Sequence, residues 1–353
     1  MSSSRLLIYG AYGYTGDLIA RSAVARGWSP IVAGRNAARV ESLARELGVE
    51  GRSFDLGAAQ EHLEGVDVVL HCAGPFSATA APMMAACLST GTHYLDITGE
   101  MDVFEHAISL TQEASEAGVV LCPGVGFDVV PTDCLAARLA EELPDATRLS
   151  LAILGPPSLS PGTVKTLIEG MAVSARRRVG GVIEAVEFGS DIRMIDFGDG
   201  PTQSANATVA DLSSAFRSTG IENITTYAAV SDAQVRQFRM LYGIRRLVRL
   251  APVSRLLTKL AAPAHGPDAA ERAAQPSAVW GEVENAAGET RVGRIRLANS
   301  YTLTVDSSLG LAQHLLEQAP AEGGTCTPSQ LVGWQFVERL PGSEPIAVSV
   351  LQR

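Results

Sequence analysis

The chain has 353 residues, 46% of them hydrophobic and 19% charged, with 38 acidic against 28 basic side chains and a formal net charge of −10. That length suits two domains with cores of their own, and excludes a peptide-like scaffold that needs staples. The apolar fraction excludes a disordered chain, and the acidic balance argues against a general nucleic-acid binder.

In chain order, Leu6–Tyr9 is a short apolar run that ends at a glycine cluster, and Thr15–Arg26 then reads as a helix. Pro30–Ala33 is a second strand, followed by Asn36 as the N-cap of a helix to Leu47. Further strands are expected over Arg52–Asp55, Asp67–Cys72, His93–Ile97 and Val119–Cys122, with helical patterns at Ala80–Leu88 and Asp102–Ala117. Short continuous apolar strands separated by helices imply a parallel sheet covered on both faces. In that doubly wound α/β arrangement the ligand crevice lies beyond the carboxyl ends of the strands. Val68–Leu95 holds no Asp, Glu, Lys or Arg, but Gly74-Pro75, Pro82 and Gly91 divide it into strand, loop, helix and strand. It is not a membrane span, and the N-terminal run is too short for a signal peptide.

After about Asp133 the alternation changes character. Leu149–Leu154 reads as a strand, Thr163–Val179 as a helix, and Val279–Glu284 with Thr290–Leu297 as a hairpin around Asn285–Gly288. Gly266–Gln275 reads as an exposed connector, and Thr327-Pro328 opens a helix to Leu340. The expected fold class is thus α/β: a Rossmann-type doubly wound parallel sheet plus an inserted α+β second domain. The boundaries fall at 1–132, 133–304 and 305–353, the last segment returning to the first domain.

The strongest chemical signal is Gly10-Ala11-Tyr12-Gly13-Tyr14-Thr15-Gly16, between the first strand and the first helix. Glycines let the backbone turn tightly beside a pyrophosphate, and the amides of the helix start attract its charge. The second strand then runs into Gly34-Arg35-Asn36. A guanidinium where an acid would bind the ribose 2′-hydroxyl fits a 2′-phosphate, so NADP is expected over NAD. Asp55, at the end of the third strand, either accepts from the adenine amino group or caps a turn. Ala73-Gly74-Pro75 suits close passage beside a ribose, and Gly126 and Phe127 lie on the same crevice side.

Acid–base candidates at the ends of the fifth and sixth strands are Tyr94, Asp96, Glu100, Asp128 and Asp133, with Asp128 first and Tyr94 and Glu100 next. Each carboxylate reads equally as a loop cap or a buried acceptor, and Tyr94 as a core aromatic. No Tyr-x-x-x-Lys pair occurs in the first domain, which disfavours short-chain dehydrogenase chemistry. His62, His71, His93 and His106 lack metal-ligand spacing, so no metal site is expected. Cys72, Cys87, Cys122, Cys134 and Cys326 form no C-x-x-C pair, and reduced thiols in a cytoplasmic protein are the expectation.

Gly10–Gly16, Gly34-Arg35-Asn36, Ala73-Gly74-Pro75-Phe76, Tyr94–Glu100 and Pro123–Asp133 together resemble the saccharopine dehydrogenase-like oxidoreductases. The branch is similar to the bacterial trans-acting enoyl reductases. Gly266-Pro267 with Arg272, Tyr301-Thr302-Leu303-Thr304 and Gly323–Pro328 extend the resemblance through the second domain. It implies an NADP-dependent reductase that transfers hydride to a C=C of an acyl, lipid- or polyketide-like substrate. Reduction of an imine or amino-acid adduct is the enzymatic alternative; an NADP-binding regulator or membrane-surface scaffold is the non-enzymatic one.

Seven basic residues and no acid fall within Arg236–Lys259, which leaves −17 for the rest of the chain. The segment reads as a helix with one largely apolar face, spoiled by Phe238, Tyr242 and Leu250, that Pro252 breaks or kinks. Beyond a solvated surface helix, it suits an acidic carrier protein bearing the acyl substrate, or an anionic membrane surface. The Val279–Leu297 hairpin is compatible with a homodimer sheet.

Overall fold

A computed structural model of the chain describes residues 5–155, 175–236, 266–318, 320 and 322–351. These residues fall into two compact units, Met1–Val130 with Tyr301–Gly333, and Pro131–Ser300 with Trp334–Arg353.

The first unit begins with alternating strands and helices. The strands are β1 (Leu6–Tyr9), β2 (Ile31–Gly34), β3 (Gly51–Ser53), β4 (Val68–His71), β5 (His93–Asp96) and β6 (Val120–Cys122). The helices are α1 (Tyr14–Ala25), α2 (Ala37–Leu47), α3 (Ala59–His62), α4 (Phe76–Thr90), α5 (Met101–Ser109) and α6 (Thr111–Glu116). Every residue of β1, β2 and β4 is buried, which is why these strands read as unbroken apolar runs. Asn36 accepts the Arg39 amide at 3.0 Å and starts α2 as expected, and Gly48 closes it in the left-handed region at φ 67°. The expected helix Asp102–Ala117 is two helices, α5 and α6, meeting at Leu110.

α7 (Val130–Glu142) leads into the second unit. Its strands are β7 (Ala146–Leu154), β8 (Ala175–Val179), β9 (Val182–Val186), β10 (Ile192–Asp196), β11 (Pro201–Asn206), β12 (Asn223–Ala229), β13 (Ser277–Asn285) and β14 (Thr290–Leu297). Leu135 and Leu139 of α7 pack onto the sheet where Gly281 and Gly293 stand opposite each other without side chains. On the other face Arg193 lies over the rings of Trp280 and Tyr227, at 5.1 and 5.7 Å, and pairs with Glu282 at 3.0 Å. The expected helix Thr163–Val179 is corrected at its end: residues 175–179 form β8, paired with β9, and the remainder lies outside the described residues. Besides α8 (Asp211–Thr219), the expected connector Gly266–Gln275 contains a short helix, α9 (Ala269–Ala274), capped by an Asp268–Glu271 capping box.

The chain then returns to the first unit through α10 (Ser300–Gln318), β15 (Gly324–Thr325) and α11 (Pro328–Val332). Thr327 caps α11 with Pro328 at its start, as expected, but Gly333 ends it and a 3₁₀ segment follows. The last strand, β16 (Ala347–Leu351), pairs with β14 and belongs to the second unit. The tail therefore divides at Gly333, whereas residues 305–353 were expected to stay together.

The first sheet runs β15-β6-β5-β4-β1-β2-β3, all parallel, and the order reverses between β1 and β4. The second is a mixed nine-stranded sheet, β10-β11-β12-β7-β13-β14-β16, with β8 and β9 attached at β12. The expected fold class holds. The hairpin β13–β14 is flanked by β7 along β13 and by β16 along Thr290–Arg294 of β14, so the outer strand on that side is β16. No helix among the described residues is long and apolar enough to cross a membrane. None of the five cysteines is in a disulfide.

Candidate active site: the crevice of the first unit

The loop after β1 folds back on itself through its glycines. Gly10 sits at φ +81°, and a methyl group there would come within 2.8 Å of the Ala73 amide nitrogen. At Gly16 it would come within 2.4 Å of the Gly10 carbonyl oxygen, so α1 crosses the loop at backbone contact. The Gly10 and Ala11 amides are held by the Ala33 carbonyl, at 2.8 and 3.2 Å. Gly13 is the N-cap of α1 and provides no side-chain cap. The first-turn amides of a helix have no intrahelical acceptor, so this end is open to an anion.

Tyr12 joins this loop to the next. Its ring lies against Gly34, its hydroxyl accepts the Asn36 amide at 3.2 Å, and the Arg39 guanidinium lies 4.6 Å from its ring centre. Arg39 also donates to the Tyr12 carbonyl at 3.0 Å. Arg35, at the end of β2, is exposed, as is Arg39 one turn later. Asp55 is exposed beyond β3 and does not cap the turn that follows it, so only the other expected use stays open for its carboxylate. Ala73 packs on Gly10, the Gly74–Pro75 peptide is cis, and Thr79 Oγ1 donates to the Ala73 carbonyl at 2.7 Å.

At the far side, Asp96 is wholly buried and fully engaged. Its Oδ1 accepts the amides of Thr98 and Gly124 at 3.0 and 2.8 Å, and its Oδ2 accepts the Tyr94 hydroxyl at 2.7 Å. Burial pushes the carboxyl up to about 6, against the pull of these donors. Burial, and then the Asp96 charge, hold the Tyr94 phenol well above its ordinary value. Tyr94 is thus a core residue beneath the crevice. Glu100 accepts the amides of Phe76 and Ser77 at 2.9 and 2.7 Å, capping α4, whose own N-cap, Pro75, has no polar side chain.

Asp128 remains exposed in the loop after β6, against Gly99 of the loop after β5. Protein crowded around its carboxyl pushes it up to about 6, but solvent reaches the side chain and opposes that rise. The loop beneath it is clamped by α10. Thr304 Oγ1 accepts the Phe127 amide at 3.0 Å, Ser307 Oγ donates to the Val125 carbonyl at 2.7 Å, and Gly126 lies against Thr304. Tyr301 meets Tyr14 edge-on at 5.1 Å, so α10 also steadies the start of α1. Sequence reasoning missed this clamp. The Tyr-Thr-Leu-Thr motif marked the segment without showing what it touches.

The structure therefore brings Gly10–Gly16, Gly34–Asn36, Ala73–Pro75 and Gly126–Asp128 to one side of the sheet. It spends the polar atoms of Tyr94, Asp96 and Glu100 inside the protein. Asp133 is buried in α7 and belongs to the second unit. Of the basic run, Arg236 alone is described; residues 237–259 lie outside the described residues. Among the described residues no cluster of His, Cys, Asp or Glu could hold a metal ion.

Residues 6–122 match the family model of the saccharopine dehydrogenase NADP binding domain. A trans-acting enoyl reductase of Mycobacterium leprae is 33% identical over 139 residues, 36% of this chain and 33% of that protein. One of Mycobacterium bovis is 31% identical over 189 residues, 48% of this chain and 45% of its own length. Each match thus takes in less than half of the relative. Among solved structures, the apo saccharopine dehydrogenase (L-Glu forming) of Saccharomyces cerevisiae superposes with a TM-score of 0.64. It is 13% identical and covers 99% of this chain and 100% of its own, a likeness of fold. Residues 6–122 are accordingly matched to a saccharopine dehydrogenase NADP binding domain, as their motifs indicated, and NADP is the cofactor of that domain. The tight turn that glycines allow at Gly10 and Gly16, where backbone meets backbone, and the uncapped start of α1 fit a pyrophosphate.

Proposed function

We propose that the chain is an NADP-dependent reductase that transfers hydride to a C=C bond of an acyl, lipid- or polyketide-like substrate. The observation that carries this reading is the arrangement at the carboxyl ends of the first sheet, with an uncapped helix start beside β1, Arg35 exposed after β2 and Asp128 exposed after β6. The loop Gly10–Gly16 receives the pyrophosphate, Arg35 the 2′-phosphate, Asn36 and Asp55 flank the adenosine, and Ala73–Pro75 with Gly126 and Phe127 line the nicotinamide side. NADP supplies the hydride when bound. Asp128 is the group that organises the nicotinamide side; Tyr94 and Glu100, expected as acid–base groups, serve better as positioning residues, since their polar atoms are already engaged.

The finer choice of a C=C acceptor follows the names of the relatives. An enzyme acting in trans needs its acyl chain presented by a separate protein, and an acidic carrier is the partner suited to the seven cations of Arg236–Lys259. An anionic membrane surface would use the same charges. NADPH oxidation, followed by absorbance over enoyl thioesters and cyclic imines, tests the reading. Turnover of enoyl thioesters alone is expected. Turnover of imines alone would replace it with the adduct-reductase reading, and NADPH binding without any turnover would leave a scaffold.

A further inference from the structure

The first unit is electrically lopsided along its crevice. Residues 5–55, which build the adenosine side, carry seven arginines against five carboxylates. Residues 56–130 and 301–333, which build the nicotinamide side, carry 13 carboxylates and no Lys or Arg at all, and of these Asp306 is paired with Arg26 of the other half. Three of those carboxylates, Asp96, Glu100 and Asp128, stand at the carboxyl ends of β5 and β6, where the crevice opens. Glu100 also meets the positive end of the 15-residue helix α4, so that pole faces an anion already.

In a doubly wound sheet the dinucleotide lies across the point where strand order reverses. With Arg35 marking the 2′-phosphate side, the nicotinamide falls over β4 to β6. The phosphates are the same in both redox states of the cofactor; the ring is not. When hydride leaves, both bonding electrons and the hydrogen pass to the acceptor carbon, and the ring keeps one positive charge.

We infer that the cation-free half of the first unit favours that charge, so that the protein binds NADP⁺ more tightly than NADPH and makes the bound couple a stronger hydride donor than the free one. The inference rests on the cofactor reading of the first unit. Tenfold tighter binding of the oxidised form lowers the two-electron potential of the bound couple by about 30 mV.

Calorimetric titration of the full chain with each form, near pH 8, tests it. At low salt NADP⁺ is expected to bind about three- to tenfold more tightly than NADPH, the ratio falling towards one in about 0.5 M salt as screening sets in. Because both forms carry the same phosphates, the salt dependence of phosphate binding cancels in the ratio. Asp128→Asn is expected to reduce the ratio by about half or more, since it removes the exposed carboxylate of the three. Equal affinities at low salt, or tighter NADPH, overturn the inference. Failure of either form to bind overturns the cofactor reading instead. If Asp128→Asn does not fold, the salt series on the unsubstituted protein still decides.

Discussion

Replacing His71 by leucine isolates the cost of a buried, unbonded imidazole. His71 ends β4, is 0% exposed, and neither ring nitrogen has a hydrogen-bond partner among the described residues. Its ring stacks on Tyr9 at 5.5 Å, meets Phe76 edge-on at 5.6 Å and lies 6.2 Å from Tyr94. Burial alone depresses its pKa to about 3. The unfolded chain titrates it near 6.5, so between those values the unfolded state binds the extra proton and stability falls as pH falls. The lost stability is about 2 kcal/mol at pH 5, close to zero at pH 7.5, and at pH 5 depends hardly at all on how far below 4 the folded value lies. His71→Leu removes this dependence. Its packing change is common to both pH values, so the difference between them reports the imidazole alone. Hydrogen exchange of peptides covering β1 and β4 in increasing urea measures opening of the first unit by itself. The variant is expected to gain about 2 kcal/mol relative to the parent between pH 7.5 and pH 5. Parallel pH profiles for the two proteins would refute the reasoning and mean that His71 finds a partner when protonated.

Further outcomes follow from the crevice. Arg35→Ala should weaken NADPH about ten- to a hundredfold and leave NADH nearly unchanged in fluorescence titrations, the loss of one charge-assisted phosphate contact. Gly16→Ala places a methyl group 2.4 Å from the Gly10 carbonyl oxygen, so it should abolish cofactor binding and lower stability by about 2 kcal/mol or more in denaturant melts. Glu100→Ala should cost about 1–2 kcal/mol by freeing the Phe76 and Ser77 amides, with Glu100→Gln recovering part of it. Unchanged stability of Glu100→Ala relative to the unsubstituted protein would show that water caps α4 as well as the carboxylate does.

The parts of this fold that were readable are those whose cause is local. β1, β2 and β4 are short apolar runs because both faces are covered, and Asn36 announces α2 three residues before the amide it bonds. The turn at Gly10–Gly16 is written as glycines because backbone meets backbone there. The roles of Glu100 and Tyr94 were not readable, since their partners are set by the sheet: 23 and 24 residues away for Glu100, and on the same strand but inward-facing for Tyr94. α10 escaped notice because it opens Ser-Tyr-Thr-Leu-Thr-Val, a β-branched start with weak helix propensity that tertiary packing overrides. Gly333, where α11 ends, is a local stop that the expected helix to Leu340 ran past.

The clamp on the Gly126 loop has a bearing on how the protein is made. Thr304 and Ser307 are translated some 180 residues after the amide and carbonyl they hold, and β15, which covers the open edge of β6, comes later still. A nascent chain emerging from the ribosome can assemble β1 to β6 early, yet it waits through the whole of residues 131–300 before its nicotinamide side is braced. Until then the β6 edge is bare, and the half-built sheet is most exposed to mispairing and to capture by chaperones. A chain that stops before residue 301 would leave the Gly10–Gly16 cradle present and its opposite wall unsupported.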